Sequence, residues 1–173
     1  MSSTSFNNLL LATAFSCMAC DGDIDDREIE AIRELAEKDM IFGSLDFSAS
    51  MKTMTEEINA KGFGFLKEYL ETLDRAYLSE EDQFKVVNVA IKTIEADDKI
   101  EYSEIKFFKI LRSKLSLSNE EILGRFPGKE QYVEQDIISR SYLERLQTDF
   151  FVSSEEMPAL AISAEQLGSM IGK

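Results

Sequence analysis

The sequence predicts an all-α fold: a compact bundle of about seven helices with an internal pseudo-twofold repeat, plus a C-terminal helical appendage. Three observations carry that prediction. Two prolines and eight glycines are all that interrupt 173 residues rich in helix formers, and no alternating strand pattern competes before Pro127. Apolar residues recur at helical spacing along most of the chain. Finally, Asp21-Gly22-Asp23-Ile24-Asp25-Asp26-Arg27-Glu28 returns, altered, as Asp97-Asp98-Lys99-Ile100-Glu101-Tyr102-Ser103-Glu104. The offset is a constant 76 residues, from Asp21 to Asp97 and from Glu28 to Glu104. Asp comes first, Ile fourth and Glu last in both. Helical patterns flank each copy, as in two copies of one supersecondary unit.

Met1 to Ser5 reads as a loose start. From Phe6 to Cys20 apolar residues cover most of the surface, which suits a central helix packed on several sides. The first acidic stretch follows. Asp26 to Lys38 then sets Ile29, Ile32, Leu35 and Ala36 on one side. Phe47, Met51, Met54 and Ile58 mark a third helix, and Lys61-Gly62-Phe63-Gly64 breaks it. Leu66, Leu70, Leu73 and Tyr77 mark a fourth. Ser79 is placed to cap a fifth, with Glu80, Glu81 and Asp82 in its first turn and Phe84, Val87, Ile91 and Ile94 as its stripe. If the acidic stretches serve only as turns and caps, Ile24 and Ile100 would plug the core between the loops. Ile105, Phe108, Leu111 and Leu115 give a sixth helix, and Ser118-Asn119-Glu120-Glu121 reads as a capping box opening a seventh. Pro127-Gly128 ends this unit.

The chain therefore divides into a helical domain over 6–127 and an extension over 128–173 that packs on it. Ile138, Tyr142 and Leu146 mark an amphipathic helix in the extension. Phe150-Phe151-Val152 reads as an anchor, and Ser163 to Gln166 as the cap of a last short helix. A hydrophobic content of 44% is enough for a core.

The net charge of −14 disfavours nucleic acid and anionic lipid, both of which repel an acidic surface. A divalent cation or a basic protein partner is the natural counterpart. Histidine is absent, which removes Ser-His-Asp and Cys-His catalysis and the commonest transition-metal ligand. Cys17 and Cys20 form a CxxC near a helix end. A redox CxxC belongs at a helix N-terminus, and zinc needs further soft ligands. The pair reads as two small buried thiols of a reducing cytosol. Leu9 to Cys20 has no basic residue before it and is too short for a span, which takes about 20 apolar residues. It reads as a buried helix of a soluble protein.

Nine acidic and three basic residues lie between Asp21 and Asp39, and five against one between Glu95 and Glu104, so these windows hold −10 of the net charge. Asp21-Gly22 with Ile24 and Glu28 fits the second half of an EF-hand loop, whereas Cys17 and Ala19, or Thr93 and Glu95, stand where the first oxygen ligands belong. An ordinary EF-hand is disfavoured on ligand count. Two incomplete loops brought together across a pseudo-twofold axis differ: Asp21, Asp25 and Glu28 would face Asp97, Glu101 and Glu104 over a small acidic cleft. Such hard oxygen donors suit Ca²⁺, Mg²⁺ or Mn²⁺, and equally the Lys and Arg of a partner. A third reading needs no ligand. Asp21 and Asp97 fold Asx-type turns, Asp25 and Glu101 cap the following helices, and Glu28 and Glu104 complete the boxes.

Met18-Ala19-Cys20-Asp21-Gly22-Asp23-Ile24-Asp25-Asp26-Arg27-Glu28, with its echo from Ile94 to Glu104, resembles the TerB-like tellurite-resistance family, whose members carry an A-D-G-x-I-x-x-x-E signature in two halves. The resemblance covers roughly residues 7–126. It implies a bundle of about seven helices with two-fold character, a cytoplasmic bacterial setting, and a role in tellurite or other chemical stress. It also implies metal binding through acidic residues, membrane-associated partners, and no enzyme activity. The family's acidic positions fall at Asp21, Asp25, Glu28, Asp97, Glu101 and Glu104. Cys20 replaces the usual Ala and Asp98 the usual Gly.

The expectation is a non-enzymatic binding module whose paired acidic loops take a divalent cation or a basic partner. The alternative is an acidic protein-interaction scaffold whose carboxylates serve as caps. A metal-assisted hydrolase is disfavoured, since the chain shows no nucleophile or phosphate-binding loop. No nucleic-acid binding and no direct membrane insertion are expected.

Overall fold

Residues 3–22, 26–37, 40–96, 100–133 and 147–149 are described by the computed structural model, and all their regular structure is helical, with no strand among them. In chain order the helices are α1 (Ser3–Met18), α2 (Asp26–Glu37), α3 (Phe47–Lys61), α4 (Phe63–Arg75), α5 (Glu80–Ile94), α6 (Tyr102–Arg112), α7 (Asn119–Arg125) and the single turn α8 (Glu130–Val133). They form a compact bundle around α1, which packs against α2, α3, α4, α5 and α6. The largely apolar surface of α1 from Leu9 onward follows from that position. Leu9, Leu10, Leu11, Ala14, Phe15, Cys17 and Met18 are all buried, on every side of the helix. Among the described residues, no helix is long and apolar enough to cross a membrane.

Two polar residues enter the core with α1. Thr13 Oγ1 donates to the Leu9 carbonyl at 2.9 Å and accepts from the Tyr69 hydroxyl at 2.8 Å, so both buried hydroxyls are satisfied. Ser16 Oγ is buried without a hydrogen-bond partner among the described residues. A buried unsatisfied hydroxyl costs about 1–3 kcal/mol. Ser16→Ala is therefore expected to raise stability by about 1 kcal/mol in urea denaturation; a loss of stability would show that the hydroxyl is satisfied after all.

The expected start signals operate as read. Ser79 Oγ accepts the Asp82 amide of α5 at 3.2 Å, and Phe84, Val87, Ile91 and Ile94 are buried. Ser118 and Glu121 form the reciprocal box that opens α7, with the Ser118 amide 2.7 Å from Glu121 Oε2. Accepting that amide and the Ser118 hydroxyl holds the Glu121 carboxyl below its usual range.

Five expectations are corrected, the first being Leu115, which lies beyond α6 because that helix ends at Arg112. Ser3, Thr4 and Ser5 belong to α1 rather than to a loose start. The break at residues 61–64 is a single residue: Gly62 turns the chain at φ 55, and α4 starts at once with Phe63. Tyr77 does not extend the α4 stripe, because α4 stops at Arg75 and Tyr77 is 98% exposed. Ile100 does not plug the core; it is 36% exposed.

The direction of α1 and α5 positions the acidic stretches. Near their starts, Lys85 Nζ of α5 stands 5.6 Å from the Phe6 ring centroid of α1. Beyond their other ends, Tyr132 hydrogen-bonds to Glu95, the C-cap of α5, and lies near enough to Cys17 of α1 for that thiol to bear on its ionisation. The two helices run side by side and parallel. The chain therefore leaves both of them, into its two acidic stretches, at the same end of the bundle.

The extension begins inside the core. Tyr132 and Val133 are buried, and the Tyr132 ring meets Phe108 edge-on at 5.0 Å. The expectations at Ile24, at Ile138, Tyr142 and Leu146, at Phe150-Phe151-Val152 and at Ser163 to Gln166 lie outside the described residues.

Candidate functional site

The first acidic turn follows α1 directly. Ala19 and Cys20 are buried, the Gly22 amide donates to the Ala19 carbonyl at 3.2 Å, and Gly22 sits at φ 90. That left-handed conformation costs glycine nothing and a side chain roughly 1–2 kcal/mol. It places Asp21, half-buried, at the end of the bundle. Asp25 lies outside the described residues, as does the side chain of Glu28.

The second turn is framed by two glutamates. Glu95 caps α5 with its amide on the Ile91 carbonyl at 3.0 Å. Glu101 is the N-cap of α6, extended at φ −81 and ψ 148, and forms a capping box with Glu104. The Glu101 amide donates to Glu104 Oε2 at 2.6 Å. This explains a carboxylate only 5% exposed: Glu104 satisfies the helix N-terminus, where negative charge is favoured. Asp97 lies outside the described residues. Ile100 and Tyr102 stand exposed on this turn, with Lys106 Nζ 4.5 Å from the Tyr102 ring centroid.

Of the six expected site residues, the structure thus places Asp21, Glu101 and Glu104 at one end of the bundle. Glu101 and Glu104 act as caps. Among the described residues, no three Cys, Asp or Glu side chains are grouped to hold a metal ion. Cys17 and Cys20 are buried and form no disulfide.

The sequence reading missed the partner of Glu95. Lys129 Nζ lies 2.6 Å from both carboxylate oxygens, and the Tyr132 hydroxyl donates to Oε1 at 3.1 Å. Burial, then the charges of Glu95 and Glu104, push the Tyr132 hydroxyl far above its ordinary range, so it remains a donor. The available signal was slight: a lone Lys just past Pro127-Gly128, with Tyr132 three residues on. Gly128 at φ 80 makes the turn between α7 and that segment.

A groove of about 740 Å³ also runs between α1, α3 and α4. Leu9, Ala12, Met54, Phe65 and Tyr69 line it. Glu57 and Glu68, also in its wall, are bridged by Lys61 at 3.3 and 2.7 Å. It uses the N-terminal half of α1, away from the acidic turns.

No protein-family model, curated protein or solved structure matches this chain.

Proposed function

We propose that this chain is a non-enzymatic binding module of the TerB-like type, whose acidic end receives cationic ligands. The carrying observation is the parallel pairing of α1 and α5, which sends both acidic stretches out of one end of the bundle. Carboxylates gathered there repel one another unless a positive group sits among them. Their hard oxygens are the right donors for Ca²⁺, Mg²⁺ or Mn²⁺, and Asp21, Asp25, Glu28, Asp97, Glu101 and Glu104 are the residues that would hold the ion. Glu101 and Glu104 would each do so while capping α6. The same donors accept a lysine or arginine of a protein partner. The pseudo-twofold relation of the halves and a cytoplasmic role in tellurite or chemical stress belong to this proposal on the strength of the duplicated motif alone.

A second reading is favoured by the capping box of Glu101 and Glu104. In it the carboxylates only cap helices, and the bundle is an acidic scaffold without a ligand. Calorimetric titration of Ca²⁺, Mg²⁺, Mn²⁺ and a lysine-rich peptide separates the two. The binding module gives heat and a raised melting temperature, both lost in Asp21→Asn/Asp97→Asn. The scaffold gives no heat, and because asparagine keeps the acceptor oxygen of each turn the same variant changes little in stability, whatever cation is present.

A further inference from the structure

We infer that the groove between α1, α3 and α4 is a binding site for a small amphipathic amine, whose apolar body lies along the floor and whose ammonium meets Glu57 and Glu68. The site is separate from the acidic turns and needs nothing from them.

The groove has the size and the floor for such a molecule. It holds about 740 Å³, inside the range of about 300–1,000 Å³ typical of small-molecule sites. At a helical rise of about 1.5 Å per residue, its α1 wall from Ser5 to Ala12 is about 10 Å long. That length suits an extended alkyl chain of about eight carbons. The space exists because small side chains face it, with Ala12 on α1 and Ala49 and Ser50 on α3. Leu9, Phe65 and Tyr69 are buried beneath them. The Tyr69 hydroxyl is spent on Thr13 in the core at 2.8 Å, so Tyr69 gives the groove only its ring.

Polarity runs along the groove in one direction. Gly62 joins α3 directly to α4, so Glu57 and Glu68 lie at the hinge end and Ala49 and Ser50 at the other. From the middle to the hinge end the polar atoms of the wall are acceptors. Thr53 and Thr72 each donate their hydroxyl proton to the carbonyl four residues back, Ala49 at 3.0 Å and Glu68 at 2.7 Å. Their oxygens keep a lone pair and have no proton to offer. Glu57 and Glu68 share one cation, Lys61, whose Nζ is 3.3 Å from the first and 2.7 Å from the second. Two carboxylates against one ammonium leave an excess negative charge, and the Oε1 atoms take no part in the bridge. An anionic amphiphile is repelled there, and an alcohol leaves the charge unmet. An amine supplies both the donors and the charge, while its chain covers the floor.

Methyl-resolved NMR of the full chain tests this, with octylammonium as the probe and octanol and octanoate as controls of equal length. Octylammonium is expected to move the methyl signals of Ala12 and Met54, and octanoate to leave them in place. Octanol should bind about tenfold more weakly, for want of the charged hydrogen bonds. Each methylene taken out of water contributes about fourfold in affinity, so hexylammonium should bind about fifteenfold more weakly than octylammonium. Ala49→Trp, at an exposed position in the first turn of α3, should fill the groove and abolish the shifts with the fold intact. Glu57→Gln/Glu68→Gln leaves Lys61 without a counter-charge, so the preference should invert from octylammonium to octanoate. Both acids are at the surface, 45% and 60% exposed, and their loss does not threaten folding. Octylammonium shifts that persist in Ala49→Trp, or that fall only on the acidic turns, overturn the inference and leave the proposal for that end standing. Equal affinity for octanol and octylammonium overturns the amine preference. No shift with any of the three probes removes the site.

Discussion

Phe15→Ala is expected to lower the unfolding free energy by about 3–5 kcal/mol, the usual cost of emptying a buried phenylalanine site. Phe15 is fully buried in α1 and meets Phe65 of α4 edge-on at 5.5 Å. Because α1 is packed by five other helices, the walls of the cavity belong to different elements and cannot collapse together. Set against a typical total of about 5–15 kcal/mol, that loss leaves a chain partly unfolded near body temperature. Phe6→Ala, near the start of the same helix and only half-buried, should cost much less. Urea denaturation of the three proteins decides it. A Phe15→Ala loss no larger than that of Phe6→Ala would mean that α1 is not the centre of the fold.

That centrality was readable before any coordinates. A helix apolar on most sides has little solvent face, and among its described side chains α1 exposes Ser5 and Asn8, near its start. Ser79, Ser118 and Glu121 were equally readable, because capping is decided within four residues. Two kinds of information were not. Tyr77 has the spacing of the α4 stripe, but Arg75 is already the last helical residue, and periodicity cannot see a helix end that lacks a Gly or Pro signal. Ile100 looked like a core plug by analogy of position, yet its burial depends on how the turn is tilted, which no local pattern records. The pairing of Glu95 with Lys129 joins residues 34 apart in the chain and needs the bundle to exist first. Candidate carboxylates at Asp21, Glu101 and Glu104 were found from the repeat. The sequence alone did not separate capping from ligand binding, because both use acceptor oxygens at the same positions; the structure adds that Glu104 is already engaged in the first of these roles.

Alkali is expected to unfold the protein steeply above pH 10, through two tyrosines. Tyr69 is buried, and burial first, then the Cys17 thiol, push its hydroxyl well above the ordinary range. Tyr132 is raised chiefly by burial and by Glu95. A tyrosine in the unfolded chain ionises near about pH 10, whereas these two keep their protons in the fold. Above that pH the folded state binds more protons than the unfolded state, so stability falls as pH rises. Their contribution is complete below about pH 10 and is lost from there upward, at about 1.4 kcal/mol per pH unit for each tyrosine. Together they set a slope of roughly 2.7 kcal/mol per unit, enough to dominate alkaline denaturation of a domain of ordinary stability. Tyr69→Phe and Tyr132→Phe should each remove about half of that slope. Tyr69→Phe also gives up the 2.8 Å bond to Thr13, at about 1 kcal/mol, but that loss is the same at every pH and drops out of the slope. The comparison needs urea midpoints at several pH values between neutrality and alkali for three proteins. If both variants kept the wild-type slope, the two hydroxyls would have to ionise inside the fold, and the buried positions assigned to Tyr69 and Tyr132 would be wrong.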